Sequence, residues 1–516
     1  MCGITGFFGE DKARIDAMTN ALVHRGPDGN ATLVTDGASL GHARLAILDP
    51  SPAADQPMWN DAKTAVMVYN GEIFNYRELR AAEKFDCVTS GDTEVLLKLY
   101  DKYGIGFVKY LRGMFAFGLY DITKKTWYLA RDSGGIKPLF VSYPNGKLHF
   151  ASEMRSLMKA LPKKPELNME ALSQYVRLHY VPGPHTLCQG IESVPPGTVI
   201  AWNEHGEARD TFAPMVEPVH YGSRNDFRAH FPELMDMVVA GHLVSDKPVG
   251  LFLSGGMDSS IVLHHMSNHA KKPVKTFTVR FEATADEDEA RFNKDAEVAK
   301  LTAKHYGTDH REVVLTAALC RDIYADAARS LDQPNADSVA MAQFVLSREA
   351  KKHVDVVLSG AGGDELFGGY PRYRIAQILH SVRHVPASLR AAAAHMAGQP
   401  VDVLRMQPGP ELAERLLARA TKETRPLTRG SWYKPEATTT LFRERFARLP
   451  ETMNPVRAMM EFDRDLWLVD ESLRLCDGVT MASGLECRVP FVDPLVIAAS
   501  HGTRTRWHMD FRRTKT

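Results

Sequence analysis

Cys2 stands directly behind the initiator Met, and a small second residue normally permits removal of that Met. The thiol would then open the chain and carry its own base. A free α-amine with a pKa of about 7.7–8.0 can take a proton from a thiol near about 8.5, directly or through a water. Three further segments supply what a zwitterionic substrate bearing an amide would need. Arg44, in Gly41-His-Ala-Arg-Leu45, offers a planar fork for an α-carboxylate. Glu72, in Asn70-Gly-Glu-Ile-Phe-Asn75, and Asp92, in Ser90-Gly-Asp92, can hold an α-ammonium. Asn70 and the backbone N–H of Gly71 can form an oxyanion hole for a tetrahedral intermediate, Gly71 leaving room for the approach.

A second chemistry is written in two glycine clusters. Leu251-Phe-Leu-Ser-Gly-Gly-Met-Asp-Ser-Ser260 reads as a strand entering a glycine-rich turn and then a helix. Exposed backbone N–H groups ahead of a helix N-terminus make an anion site. Ser254, Gly255, Gly256, Ser259 and Ser260 can therefore cradle a pyrophosphate, with Asp258 placed to take Mg²⁺. The segment lacks the Lys-Ser/Thr ending of a Walker loop, which disfavours γ-phosphate transfer. Leu358-Ser-Gly-Ala-Gly-Gly-Asp-Glu-Leu-Phe-Gly-Gly-Tyr370 again follows an apolar strand. Two strand-end loops on one parallel sheet face the same crevice. Ser359 and Gly360 would flank the nucleotide or substrate there, with Asp364 as second magnesium ligand.

Cys2-Gly-Ile, His24-Arg-Gly-Pro-Asp28, Asn70-Gly-Glu-Ile-Phe-Asn75 and Arg112-Gly-Met-Phe-Ala-Phe117 together resemble the class II glutamine amidotransferases. The roles of Cys2, Arg44, Asn70, Gly71, Glu72 and Asp92 match that family's, with glutamine as substrate. Residues 24–28 are expected to serve as a lid or turn. Residues 254–260 resemble the pyrophosphate loop of ATP pyrophosphatases, which cleave ATP between the α and β phosphates. Paired with the second cluster and with Arg488-Val-Pro-Phe-Val-Asp493, they are similar to an asparagine synthetase domain. The resemblance covers nearly the whole chain and adds Leu253 and Val279 to the ATP-binding set. It implies that Cys2 releases ammonia from glutamine while the second domain, with ATP and Mg²⁺, adenylates a carboxylate. Ammonia travelling inside the protein, shielded from protonation by water, then gives the amide, AMP and pyrophosphate.

Two positions depart from the pattern. Asparagine synthetases commonly carry a carboxylate in the second cluster where this chain has Ala361, so Glu365 or a water would take the proton from ammonia, or the acceptor differs from aspartate. Sugar uronates and tailoring substrates are the rival acceptors. The β-lactam-forming relatives usually place Tyr there and lack the N-terminal Cys. Family members also continue into a basic loop beyond the stretch that 512–515 would begin, so a truncated chain is expected, with weak or absent ATP–pyrophosphate exchange if nothing follows Thr516. A glutaminase serving sugar-phosphate or phosphoribosyl chemistry is disfavoured by residues 254–260. A degenerate binding protein is disfavoured by the intact Cys2, Arg44, Asn70, Asp92 and Asp258.

The elements that must position these groups divide at about residue 210. Apolar runs at 4–8, 65–69, 114–120, 127–130 and 147–151, separated by turns, predict a strand-rich domain over 1–210. Beyond it, strands at 249–253, 276–281 and 354–358 alternate with helical patterns at 260–266, 295–306 and 340–351. This predicts a parallel sheet covered by helices over 211–516. Residues 375–485 read as helical packing, and the alanine cluster 391–394 as a helix former. The expected fold is an α+β N-terminal-nucleophile sandwich of antiparallel sheets with helices. An α/β parallel-sheet nucleotide-binding domain with additional helices follows it. At 516 residues with 44% hydrophobic and 24% charged, the chain suits two globular cores. Lys+Arg and Asp+Glu balance at 63 each, which argues against a nucleic-acid or anionic-membrane partner. The six cysteines show no C-x-x-C spacing, so no zinc site or disulfide framework is suggested. With no signal peptide or membrane span in view, a cytoplasmic protein with small-molecule substrates is expected, and a homodimer is left open.

Overall fold

Apolar strands dominate the chain up to Thr211 and pair, antiparallel throughout, into two six-stranded sheets. The computed structural model describes residues 2–282, 293–386, 388–390, 403, 406–418 and 427–508; the alanine cluster 391–394 and the basic stretch 512–515 lie outside them. The first sheet contains β1 (Gly3–Phe8), β2 (Gly29–Thr35), β3 (Ala38–Arg44), β8 (Phe140–Ser142), β9 (His149–Ala151) and β10 (Ile191–Ser193), in the order β10-β8-β9-β1-β3-β2. The second contains β4 (Met58–Trp59), β5 (Ala65–Ile73), β6 (Gly113–Asp121), β7 (Thr126–Arg131), β11 (Thr198–Asn203) and β12 (Gly206–Thr211), in the order β12-β11-β7-β6-β5-β4.

The sheets face each other, and helices cover both outer faces, so the central strands are buried on two sides. Alternation decides which side each residue serves. On β6, Ala116 and Tyr120 join Ile4, Leu40 and Phe150 between the sheets, while Phe115, Phe117 and Leu119 pack under the helix Thr93–Tyr103. The helices Lys12–Asn20 and Met154–Ala160 cover the other sheet through Ile15, Met18 and Leu157. Phe150 needs particular room, because a Cβ at Gly118 would lie 2.3 Å from its ring, and one at Gly6 would lie 2.6 Å from it.

The third sheet is parallel: β13 (Val249–Phe252), β14 (Lys275–Phe281), β15 (Asp309–Leu315), β16 (Val356–Leu358) and β17 (Glu486–Arg488), in the order β15-β14-β13-β16-β17. Leu251 points to a core shared with the helices Arg224–His242, Met257–His269 and Lys294–Tyr306, whereas Phe252 points to the one shared with Val339–Lys351. Helices on both faces are what a parallel sheet requires. The helices Pro371–Ser381, Pro435–Ala447 and Pro455–Asp463 form a separate cluster without strands. No described helix is long and apolar enough to cross a membrane.

The differences from the sequence reading have local causes. The strand expected at 65–69 runs to Ile73, carrying Asn70, Gly71 and Glu72 within a ladder paired to β6. The strand expected from 147 begins at His149, because residues 144–146 form a 3₁₀ turn. The hairpin of β2 and β3 was missed, although Asp36-Gly37, with Gly37 at φ +78°, is a hairpin turn. β17 was missed as a strand because two charged residues in three look like surface.

Replacing Gly118 with Ala should force Phe150 aside and cost about 1–3 kcal/mol of stability. Thermal unfolding of the variant checks this, and an unchanged midpoint would contradict the packing described.

Candidate functional site

Cys2 sits at the start of β1, where its N–H donates to Asn70 Oδ1 at 2.9 Å, and its carbonyl accepts from Arg25 Nε at 3.2 Å. Its Sγ lies 3.9 Å from the Leu45 carbonyl oxygen. Asn70 is fully buried, and its Nδ2 has no hydrogen-bond partner. A buried donor left unpaired is expensive unless something comes to use it. Beside Cys2 lies a small cavity. Arg44, Gly71, Glu72 and Asp92 line it, so the cavity brings these predicted residues to Cys2.

Arg44 is held by the loop that follows β3, with Nη1 donating to Ser51 O at 3.0 Å and to Asp55 Oδ1 at 2.5 Å, and Nη2 to Asp49 O. Asp92 accepts from the Tyr69 hydroxyl at 2.7 Å and from Ile73 N at 3.0 Å, yet burial still pushes its carboxyl above the ordinary range. Burial pushes the Glu72 carboxyl well up, against the opposing pull of Arg488, and its Oε1 is buried without a partner. Burial also raises the Cys2 thiol, so the sulfur needs a base to become a nucleophile.

The reason assigned to Gly71 requires correction. A Cβ there would stand 2.3 Å from the Met114 carbonyl oxygen and 2.7 Å from Phe115 Cα, so the missing side chain lets β6 pair with β5 rather than clearing a path for a ligand. Residues 24–28 form a turn that braces Cys2 and not a lid over the cavity. Arg25, fully buried, reaches Glu153 Oε1 at 2.9 Å and Asp477 Oδ2 at 2.9 Å, and Asp28 Oδ2 accepts from Ala46 N at 2.9 Å.

His42 and Glu486 are among the lining residues that escaped the sequence reading. His42 borders the cavity with Nε2 buried and unpartnered, and burial pulls its pKa down to about 3, so the ring is neutral. Its two-residue spacing from Arg44 on a strand was the available signal. Glu486 also borders the cavity, from β17 of the parallel sheet, and nothing local in the sequence links it to Cys2.

The glycine loops meet because β13 and β16 are adjacent and in register, Leu251 opposite Leu358. Gly255 has φ +76°, and a Cβ there would lie 2.1 Å from Asp295 O. A Cβ at Gly360 would lie 2.8 Å from Ser259 N, and one at Gly363 would lie 2.5 Å from Asp258 Cγ. Asp258 is thus brought against the residue preceding Asp364. Ser254 and Gly256 are exposed, and Ser254 Oγ lies 3.1 Å from Ser259 Oγ, leaving an open turn at the head of the helix Met257–His269. Leu253 is buried in the core with its N–H bonded to Phe277 O at 2.9 Å, and its carbonyl accepts from Thr278 Oγ1, so its backbone is already engaged. Val279, on β14, is partly buried against the core of the same sheet. Among the described residues no group of three or more His, Cys, Asp or Glu gathers as a metal site. Two carboxylates fit Mg²⁺, which binds through one or two of them together with substrate phosphates.

At the departing position, Ala361 N donates to Ser359 Oγ at 3.3 Å and the methyl packs against the core. Glu365 is buried and accepts from the Tyr370 hydroxyl at 2.8 Å, and burial pushes its carboxyl up to about 7.

Residues 1–213 match the family model of a glutamine amidotransferase domain, and residues 230–516 match that of asparagine synthase. The chain is 33% identical to the glutamine-hydrolyzing asparagine synthetase 1 of Bacillus subtilis, over 96% of this chain and 80% of that protein. It is 29% identical to the glutamine-hydrolyzing asparagine synthetase 3 of the same organism, over 96% of this chain and 79% of the relative. It is 32% identical to asparagine synthetase B of Escherichia coli, over 72% of this chain and 65% of the relative.

Replacing Gly363 with Ala should displace the Asp258 carboxylate and weaken Mg-ATP binding by about tenfold or more, since a misplaced charge loses its contact. Calorimetric titration with Mg-ATP measures this, and wild-type affinity would contradict the assignment of Asp258.

Proposed function

This chain belongs to the glutamine-hydrolysing asparagine synthetase family, and from that membership we propose that it transfers the amide nitrogen of glutamine to aspartate at the expense of ATP. The observation that carries the first half is the cavity that gathers Arg44, Glu72 and Asp92 beside Cys2, whose N–H is bonded to Asn70, a buried amide with its Nδ2 unpaired. Once Met1 is removed, the Cys2 α-amine takes the thiol proton and the sulfur attacks the glutamine side-chain carbonyl. Negative charge then develops on that oxygen, and Asn70 Nδ2, held in place through Oδ1, donates to it without reorganisation. The C–N bond breaks, ammonia leaves with the proton, and water hydrolyses the thioester to glutamate. Arg44 takes the α-carboxylate of glutamine, and Glu72 and Asp92 take its α-ammonium.

In the second half, the open turn 254–256 and the loop 359–363 hold ATP. The turn, with Ser254 and Gly256 exposed, and the N-terminus of the helix behind it suit a polyanion. Mg²⁺, held by Asp258 and Asp364, would neutralise charge on the β and γ phosphates. The aspartate side-chain carboxylate attacks the α phosphorus, pyrophosphate leaves, and ammonia displaces AMP from the acyl-adenylate. Ala361 can accept no proton from the attacking ammonia. Glu365, whose carboxyl burial pushes up to about 7, is the carboxylate on the same segment not assigned to Mg²⁺. Aspartate as acceptor rests on the activity named for the relatives.

Two outcomes test this reading. Cys2→Ala should lower glutamate release from glutamine by about a thousandfold or more while ammonia-dependent amide formation, followed through AMP and pyrophosphate, persists; loss of both would refute the division of labour. The second outcome concerns pH. Burial raises the Glu72 and Asp92 carboxyls and so favours their neutral forms in the empty pocket, whereas the glutamine ammonium favours their ionised forms. kcat/KM for glutamine should therefore rise with pH above the ordinary carboxylate range, and Glu72→Gln should weaken that dependence. An unchanged profile in the variant would exclude Glu72 from ammonium binding.

A further inference from the structure

We propose that Arg488, on β17 of the parallel sheet, is a positioning residue for substrate recognition in the Cys2 cavity, acting through Glu72 across the boundary between the two halves of the chain. The inference deepens the reading above and rests on it, since the ligand concerned is the α-ammonium of glutamine.

Arg488 is completely buried, and its planar fork is spent almost entirely on fixed acceptors. Nε donates to Glu486 Oε1 at 2.6 Å, and Nη1 donates to the carbonyls of His242 and Val244, each at 2.7 Å. The first is the last carbonyl of the helix Arg224–His242, where the backbone dipole welcomes a cation, and the second lies two residues beyond it. Three donor bonds to the second half of the chain therefore fix the guanidinium plane before it meets the first half. Its remaining hydrogen bond among the described residues is Nη2 to Glu72 Oε2 at 3.2 Å.

The consequence lies in how Glu72 is presented. One carboxylate oxygen is held by a cation that cannot move, while the other, Oε1, is buried, has no partner and belongs to a residue lining the cavity. Arg488 thus takes one face of the carboxylate and leaves a single acceptor directed to an arriving ammonium. Glu486, two residues before Arg488 on the same strand and so on the same face, lines the cavity as well. Two buried carboxylates compete for one guanidinium. Arg488 stands closer to Glu486, 2.6 Å from its Oε1, than to Glu72, 3.2 Å from its Oε2, and burial leaves the Glu72 carboxyl raised. Glu72 therefore carries the weaker claim on Arg488, and an ammonium supplies the charge it lacks.

The test uses the full chain and the steady-state rate of glutamate release from glutamine in the wild type, Arg488→Lys, Glu72→Gln and the double variant. A lysine keeps the charge but not the fork, so Arg488→Lys should raise the glutamine KM about tenfold or more, with kcat changed less than about threefold. On the Glu72→Gln background the same replacement should raise KM by less than about twofold, because the residue through which it acts is already gone. A full tenfold rise on that background, or a wild-type KM in Arg488→Lys, overturns the proposal. A second variant decides the matter even where Arg488→Lys does not fold. Glu486→Gln frees Arg488 for Glu72, whose other charged or titratable neighbours are Asp92, Tyr69, Tyr76, Arg77 and the terminal amino group. The acidic limb of 1/KM should then move to lower pH, and an unmoved or oppositely moved limb overturns the proposal. A wild-type chain that releases no glutamate from glutamine overturns the underlying functional reading as well. Hydrolysis in the wild type with an additive cycle removes only the role of Arg488.

Discussion

A cation buried away from water must be given acceptors, and in this chain the acceptors come from both halves. Arg25 leaves the sandwich to meet Asp477, and Arg488 leaves the parallel sheet to meet Glu72. Removing one partner of such a pair costs about 3–5 kcal/mol, because the other charge is then stranded without water. The two halves are therefore tied at the places where misalignment would be most costly. Arg25 also holds the Cys2 carbonyl, so the brace that joins the halves is the one that fixes the proposed nucleophile. Two segments that marked the family resemblance meet at the same boundary, where Arg112 Nε lies 3.9 Å from Asp493 Oδ2.

The two proposed sites differ in kind. The Cys2 cavity is small and lined by carboxylates and a neutral imidazole whose ionisation burial has shifted. In such surroundings a few fixed polar atoms discriminate strongly, since each unmatched one is costly. The glycine loops are open turns at strand ends, with Ser254 and Gly256 exposed to solvent. Their glycines serve closeness rather than flexibility. Backbone of one loop passes against side chain and backbone of the other, and Gly360 and Gly363 have no room for a Cβ beside Asp258 and Ser259. An enclosed zwitterion site and an exposed polyanion site suit a small amino acid on one side and a nucleotide with its metal on the other.

The sequence by itself determined the inventory of chemistry. A cysteine behind the initiator Met, an arginine fork, two carboxylates and two glycine turns after apolar strands are local patterns, and each could be read from neighbours a few residues apart. It also marked the central strands β1, β5, β6, β7, β13, β14 and β16 and the helices Met257–His269, Lys294–Tyr306 and Val339–Lys351, because burial on one face or two leaves a period that short windows record. What it could not hold was any relation between distant segments. The in-register pairing of β13 with β16, which brings Asp258 to Gly363, is a property of the sheet. Glu486 and Arg488 were unreadable for the opposite reason from the glycines. Charged residues alternating on a short strand look like a solvent-facing edge, and only the packing of the sandwich against β17 buries them and makes them neighbours of Cys2 and Glu72. The tertiary structure alone decided that, because the burial that gives those charges their consequence is imposed by the far half of the chain.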